Sequence, residues 1–262
     1  MKYFAVSDVH SFYDPLVESL RTAGFFEDDK GVLVLLGDAL DRGEDALKVV
    51  DFLLELHKQG RLIYIKGNHE ELLEDCIKDI CYQGIYEIAG GMSHHYINGT
   101  FHTMLQLAQM SHRDAVDFPE SLVRRVLHSP YYDQLLPTCV NYFETERYVF
   151  CHGWIPVLES GFGAYQTYRY NPDWRAASDR DWSRARWNNG IELACKQKLI
   201  TMDKITVCGH YHTSWGHSKI HQVGTEWGEN AVFTPFRDEG IIAIDACTAY
   251  TGKINCVVFD EP

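Results

Sequence analysis

The chain has 262 residues, 45% of them hydrophobic, with 37 acidic against 24 basic side chains and a formal net charge of -13. That is enough apolar material for the core of one large α/β domain. The acidic balance gives no electrostatic footprint for a long nucleic acid or an anionic membrane surface, so any phosphate has to be held by a local positive site.

Short apolar runs alternate with helical periods at the start of the chain. Residues 3–6 read as a strand, 15–23 as a helix closed by Gly24, 32–36 as a strand, 45–58 as a helix closed by Gly60, 62–65 as a strand and 70–80 as a helix. That order predicts parallel strand pairing. From 81 to 147 the pattern loosens into a mostly helical insert that reads as a cap or lid, with helices at 103–109 and 120–128, the second preceded by Pro119. Strand patterns return at 148–151, 205–208, 241–244 and 254–259, and an aromatic, arginine-rich excursion fills 154–204. No linker or internal repeat divides residues 1–262. The first apolar run is too short for a signal peptide and no later segment approaches a membrane span, so a soluble, cytoplasmic protein is expected. Eight cysteines without CxxC pairs or compact spacing read as reduced core thiols, not a disulfide framework or zinc site.

Five of these strands end in polar clusters: SDVH at 7–10, GDALDRG at 37–43, KGNHE at 66–70, HG at 152–153 and GHYH at 209–212. Ligands of α/β sheets gather at the carboxyl ends of strands, so the tips are expected to converge on one site. The side chains there are Asp8, His10, Asp38, Asn68, His152, His210 and His212. Carboxylates and imidazoles with one amide oxygen suit divalent iron, manganese or zinc. Seven ligands exceed one ion, and a carboxylate shared by two ions about 3.5–4 Å apart resolves the excess, with Asp38 as the natural bridge. Asp41 need not be a ligand: it can accept a hydrogen bond from a histidine ring and keep that ring protonated, and His69 is the expected partner. Arg42 supplies a fork for two phosphate oxygens.

These blocks resemble the five signature blocks of the calcineurin-like metallophosphoesterases. GDxxDRG with GNHE, and the closing IDACTAYTGK at 244–253, is most similar to the bacterial branch of phosphoprotein phosphatases and symmetrical diadenosine tetraphosphate hydrolases. The resemblance covers the sheet-forming segments, not 81–147 or 154–204. It implies an α/β four-layer fold, two mixed sheets in a sandwich flanked by helices, with the insert as a cap. It implies that Asp8, His10 and His212 bind one ion, that Asn68, His152 and His210 bind the other, and that Asp38 bridges. His69 would protonate the leaving alkoxide with Asp41 orienting it, while Arg42, with Asn68 beside it, grips the phosphate. A second phosphate-binding arginine is implied too, and Arg186 in WSRARWNNG is chosen over Arg169, Arg175, Arg180 and Arg184. The last block departs from the protein-phosphatase pattern, which usually carries one metal-binding histidine where GHYH has two.

The expected activity is hydrolysis of phosphomonoesters, with phosphoserine and phosphothreonine as the candidate groups, by direct attack of a water held between two ions. Cleavage of a nucleotide polyphosphate at the same site is the alternative. A binding scaffold that lost the chemistry is a third reading, but it would have no use for His69, Asp41 and Arg42. His94 and His95 read as a surface loop and not a third metal site, because adjacent residues of an extended segment point to opposite sides. The same reading covers His217 and His221. The run AYQTYRY at 164–170 reads as aromatic packing before base stacking.

Overall fold

The structure, a computed structural model, describes residues 1–161 and 166–261. Its strands are β1 (Lys2–Val6), β2 (Val32–Leu35), β3 (Leu62–Tyr64), β4 (Phe143–Glu144), β5 (Tyr148–Phe150), β6 (Leu158–Ser160), β7 (Thr167–Arg169), β8 (Ile205–Cys208), β9 (Phe236–Asp238), β10 (Ile241–Ala243) and β11 (Val257–Asp260). The first sheet has the order β11-β1-β2-β3, with β1, β2 and β3 parallel and β11 antiparallel. The second has the order β4-β5-β8-β10-β9, with β5, β8 and β10 parallel between two antiparallel edges.

Period-two alternation explains how the sheets stack. In and beyond β2, Val34 and Leu36 point one way, Leu33 and Leu35 the other, and all four are fully buried. A strand buried on both faces belongs in the middle of a layered fold. Ala5, Val34, Leu36 and Ile65 of the first sheet meet Phe150, Val207, Ile242 and Ile244 of the second in one apolar cluster, so the sheets pack face to face. The outer face of the first sheet is covered by α1 (Tyr13–Thr22), α2 (Ala46–Lys58) and α3 (Asn68–Gln83). The outer face of the second carries Trp154, Trp174, Trp182 and Ile191. At roughly 2 kcal/mol per large apolar side chain removed from water, these three clusters, not the polar tips, hold the layers together.

The insert contributes α4 (Ile85–Ala89), α5 (His94–Ile97), α6 (Thr100–Ala108), α7 (His112–Asp117) and α8 (Pro119–Leu127). Phe101, Met104, Leu107, Leu122 and Val126 join the same cluster as Leu16, Val49 and Leu53 of α1 and α2. The remaining helices are α9 (Asp179–Ala185), α10 (Gly190–Cys195), α11 (Thr213–Lys219) and α12 (Thr248–Thr251).

Several local readings change. The helix read at 70–80 starts at Asn68, because the Glu70 side chain bonds back to the Gly67 N–H at 2.7 Å and caps its first turn. The strand read at 254–259 starts only at Val257. The edge strands β4 and β9 and the hairpin β6–β7 span two or three residues each, too few to show a period. His94 and His95 lie not in an extended loop but in the helical turn α5, capped by Ser93; His95 is buried with Nε2 3.0 Å from Asp79 Oδ2. His217 and His221 bond to the Thr234 carbonyl and Asp238. Tyr168 and Tyr170 pack against the second sheet's outer cluster, while Ala164 and Tyr165 lie outside the described residues. All eight cysteines are unpaired. Among the described residues, no helix is long and apolar enough to cross a membrane.

Candidate metal centre

Backbone shape marks the site before any side chain does. Asp8, His10, Ser11, Asp38, Asp41, Arg42, His210 and Cys247 all have φ between 52° and 76°, a region that L-residues adopt rarely and at a conformational cost. Each follows the carboxyl end of a central strand, β1, β2, β8 or β10. The left-handed turns let consecutive polar side chains point back over the sheet ends. The approach is close enough that a Cβ at Gly67 would meet the backbone nitrogen of Asp38 at 2.6 Å, so no larger residue fits.

The tips do converge. Two groups of side chains have donor atoms within 4.8 Å of one another, His10–Asp38–His69 and Asp38–His152–His210, and Asp38 is their common member. Its two oxygens divide between them: Oδ2 lies 3.9 Å from His10 Nε2 and 3.8 Å from His69 Nε2, and Oδ1 lies 3.4 Å from His152 Nε2. Asn68 Oδ1 is 2.8 Å from His152 Nε2, and Asp8 Oδ2 accepts the His210 backbone N–H at 2.9 Å. Asp8, His10, Asp38, Asn68 and His152 are all buried.

The electrostatics fit a cation. His10 Nδ1–H donates to the Leu40 carbonyl at 3.1 Å and His152 Nδ1–H to the Leu36 carbonyl at 2.6 Å. Each ring is thereby fixed in the tautomer that leaves Nε2 with a lone pair facing Asp38. For His152 that lone pair also faces the amide oxygen of Asn68, an opposition that a positive ion resolves. Burial, with the charge of Arg42, holds His10 well below the usual histidine range; burial, with His152 nearby, does the same to His210. Neutral imidazoles are the form that ligates. Burial pushes the Asp38 carboxyl up to about 6, a measure of how poorly this pocket tolerates a lone negative charge. This donor set could hold two divalent ions.

His69 stands apart in its bonding. Its Nδ1 is 2.6 Å from Asp41 Oδ2, and its Nε2 is 3.3 Å from Arg42 Nη2. Burial alone would lower its pKa, but the charge of Asp38 and the bond to Asp41 outweigh that and raise it to about 9. The guanidinium beside Nε2 opposes a dication there, and the carboxylates of Asp38 and Asp41 outweigh its smaller effect against a proton. Arg42 itself is exposed.

Two expected site residues are not brought to the cluster. His212 Nδ1 donates to Ser214 Oγ at 2.9 Å, its Nε2 faces Glu226 Oε1 at 3.6 Å, and its ring packs 4.4 Å from Trp227. Its Nδ1 is engaged by α11, and its Nε2 lies in neither of the two groups of donors. Arg186 is buried, and its guanidinium is taken by Glu71, Asn141 and the Lys66 carbonyl. Arg186→Lys is expected to lower Tm, because Lys cannot serve all three partners and the loss is about 2–3 kcal/mol. KM for a phosphomonoester is expected to stay within about twofold; a tenfold rise, roughly, at unchanged Tm would return the residue to substrate binding.

Other residues were not singled out by sequence reasoning. Glu70 accepts from the backbone N–H groups of Asp38, Ala39 and Gly67 and from the Tyr64 hydroxyl, at 2.7 to 3.0 Å, tying β2 to the start of α3. The glutamate three residues after Gly67 is a capping-box signal that could have found it. Asp245 is buried near Asp8, and burial followed by the charge of Asp8 holds its carboxyl well above the usual range. Thr100 and Thr103 of α6 bond to Asp41, and nothing in the sequence of the insert marks them.

Residues 1–244 match the calcineurin-like phosphoesterase family, and the chain belongs to it. Among curated proteins it is similar to a bis(5'-nucleosyl)-tetraphosphatase PrpE [asymmetrical] of Bacillus velezensis, 25% identical over 142 residues that make up 52% of each chain. It is also similar to a symmetrical bis(5'-nucleosyl)-tetraphosphatase of Buchnera aphidicola subsp. Schizaphis graminum, 39% identical over 70 residues, 27% of this chain and 24% of that one. The chain thus spans about half the length, or less, of these relatives. Among solved structures, a cold-active protein tyrosine phosphatase aligns with 99% of this chain and 73% of its own at a TM-score of 0.52 and 16% identity, a likeness of fold.

Proposed function

We propose that the chain is a metal-dependent phosphoesterase that hydrolyses phosphomonoesters at a two-ion centre. The division of the Asp38 carboxylate carries this reading: its two oxygens serve two groups of donors that share no other residue. Asp8 and His10 with Asp38 would hold one divalent ion, and Asn68, His152 and His210 with Asp38 the other, manganese or iron before zinc. When bound, such a pair supplies Lewis-acid stabilisation of charge on phosphorus and acidifies water.

The rest of the work falls to the chain's own side chains. Arg42 offers parallel N–H groups to two phosphoryl oxygens. As an oxygen of water bonds to phosphorus and the ester P–O bond breaks, His69 gives its proton to the leaving oxygen, and alcohol and inorganic phosphate depart. Asp41 keeps the ring oriented. A general acid matters most when the leaving group is an alkoxide, so this pair of residues supports monoesters over anhydrides, whose leaving group is already stable as an anion.

A specific feature favours a second reading, a nucleotide polyphosphate substrate. Trp187 is 46% exposed with its ring 5.9 Å from that of His210, a flat surface beside the donors on which a base could stack for about 1–3 kcal/mol. Both relatives described above are named for bis(5'-nucleosyl)-tetraphosphates. A panel of an aryl monoester, an aryl diester, a phosphopeptide and diadenosine tetraphosphate, with added manganese, separates the readings. We expect the highest kcat/KM on a monoester; a value on the tetraphosphate more than about tenfold higher would overturn that choice. No turnover of any of them by fully metal-loaded protein would remove both.

A further inference from the structure

One face of α6 in the insert is built against the GDALDRG loop. Thr100, Thr103 and Gln106 recur every three residues, and each bonds to that loop. Thr100 Oγ1 donates to Asp41 Oδ2 at 2.7 Å, the same oxygen that lies 2.6 Å from His69 Nδ1. Thr103 Oγ1 accepts the Asp41 backbone N–H at 3.0 Å. Gln106 accepts from the Ala46 N–H and donates to the Gly43 carbonyl, both at 2.9 Å. Just before the helix, Gly99 has φ +87° and comes so near that a Cβ there would meet the Arg42 nitrogen at 2.5 Å. Thr100 and Thr103 are almost completely buried, and on the adjacent face of the helix Phe101, Met104 and Leu107 anchor it in the core.

We infer that Thr100 is a positioning residue for proton delivery: it fixes the rotamer of Asp41, which fixes the His69 ring against the leaving oxygen. The insert is therefore part of the catalytic apparatus, not only a cover. A carboxylate held by one ring nitrogen alone can swing about χ1 and χ2; a second donor on the same oxygen, from a rigid helix, removes that freedom. The two hydrogen bonds to Asp41, from the Thr100 side chain and to the Thr103 side chain, grip both ends of the residue. Gln106 and Gly99 set the loop that carries it. This inference rests on the proposed role of His69 as general acid.

The test compares Thr100→Val, which keeps the shape and loses the hydroxyl, with Thr100→Ser, which restores it, and with Asp41→Asn. Two readouts are used. In metal-free protein, the low-field NMR resonance of the His69 Nδ1 proton is expected to be lost or shifted in Thr100→Val and recovered in Thr100→Ser. In manganese-loaded protein, Thr100→Val is expected to lower kcat about tenfold on an alkyl phosphate and less than about twofold on 4-nitrophenyl phosphate, with KM and metal content unchanged. If the valine variant does not fold, Thr100→Ala carries the same comparison. An equal loss on both esters, no loss on either, or an unaltered resonance would overturn the inference. Asp41→Asn keeps the two failures apart: if it too ignores the leaving group, the general-acid role is wrong; if it responds and Thr100→Val does not, only the part assigned to Thr100 is.

Discussion

Asp38→Asn is expected to lose both metal ions and the activity together. The two oxygens of Asp38 face separate donor groups, so an amide leaves one group facing an NH2 and removes the shared negative charge from both. We expect metal content to fall from two equivalents to a trace and kcat to fall at least about a thousandfold. Unfolding is not the route to that loss. Without metal, burial already raises the Asp38 carboxyl to about 6, so its charge is a burden on the empty fold at neutral pH, and Asn lifts that burden. Metal-free Asp38→Asn is therefore expected to melt at or above the temperature of metal-free wild type. Elemental analysis, steady-state kinetics and calorimetry on one preparation check all three, and a variant that keeps two equivalents of metal would show that Asp38 is no bridge.

His69→Asn is expected to behave in the opposite way, keeping its metal and losing turnover. His69 lies in the same donor group as His10 and Asp38, so distance alone would admit it as a ligand. Its bonding argues otherwise, since Nδ1 is held by Asp41 and Nε2 borders the Arg42 guanidinium. A general acid contributes about 10²–10⁴-fold, so under the proposed role kcat on an alkyl phosphate is expected to fall within that range, with a far smaller fall on a 4-nitrophenyl ester. Metal content is expected to match wild type. Loss of one equivalent of metal in His69→Asn would instead make the ring a ligand and leave proton delivery unassigned.

What could be read from the sequence followed from local rules. The strand–helix alternation up to residue 80, the parallel pairing and the convergence of the strand tips each depend on periodicity and on the position of polar residues after apolar runs. The pairing of Asp41 with His69 was accessible too, because a second acid three residues after Asp38 needs a different partner. The sandwich needed the family resemblance, since nothing in a single strand says which sheet will cover it. His212 and Arg186 lie outside the two donor groups for one reason: residue type shows what a side chain can bind, not which neighbour reaches it first. Ser214 holds His212, and Glu71 and Asn141 hold Arg186, through contacts invisible to spacing. The threonines of α6 were missed because they act across about sixty positions and look like ordinary helix residues.

The most direct test of the two-ion centre is anomalous diffraction at the manganese edge from crystals of protein loaded with manganese. We expect two peaks about 3.5–4 Å apart, one on each side of the Asp38 carboxylate, with Asp8 and His10 at one and Asn68, His152 and His210 at the other. A single peak, or peaks that do not share Asp38, would contradict the account.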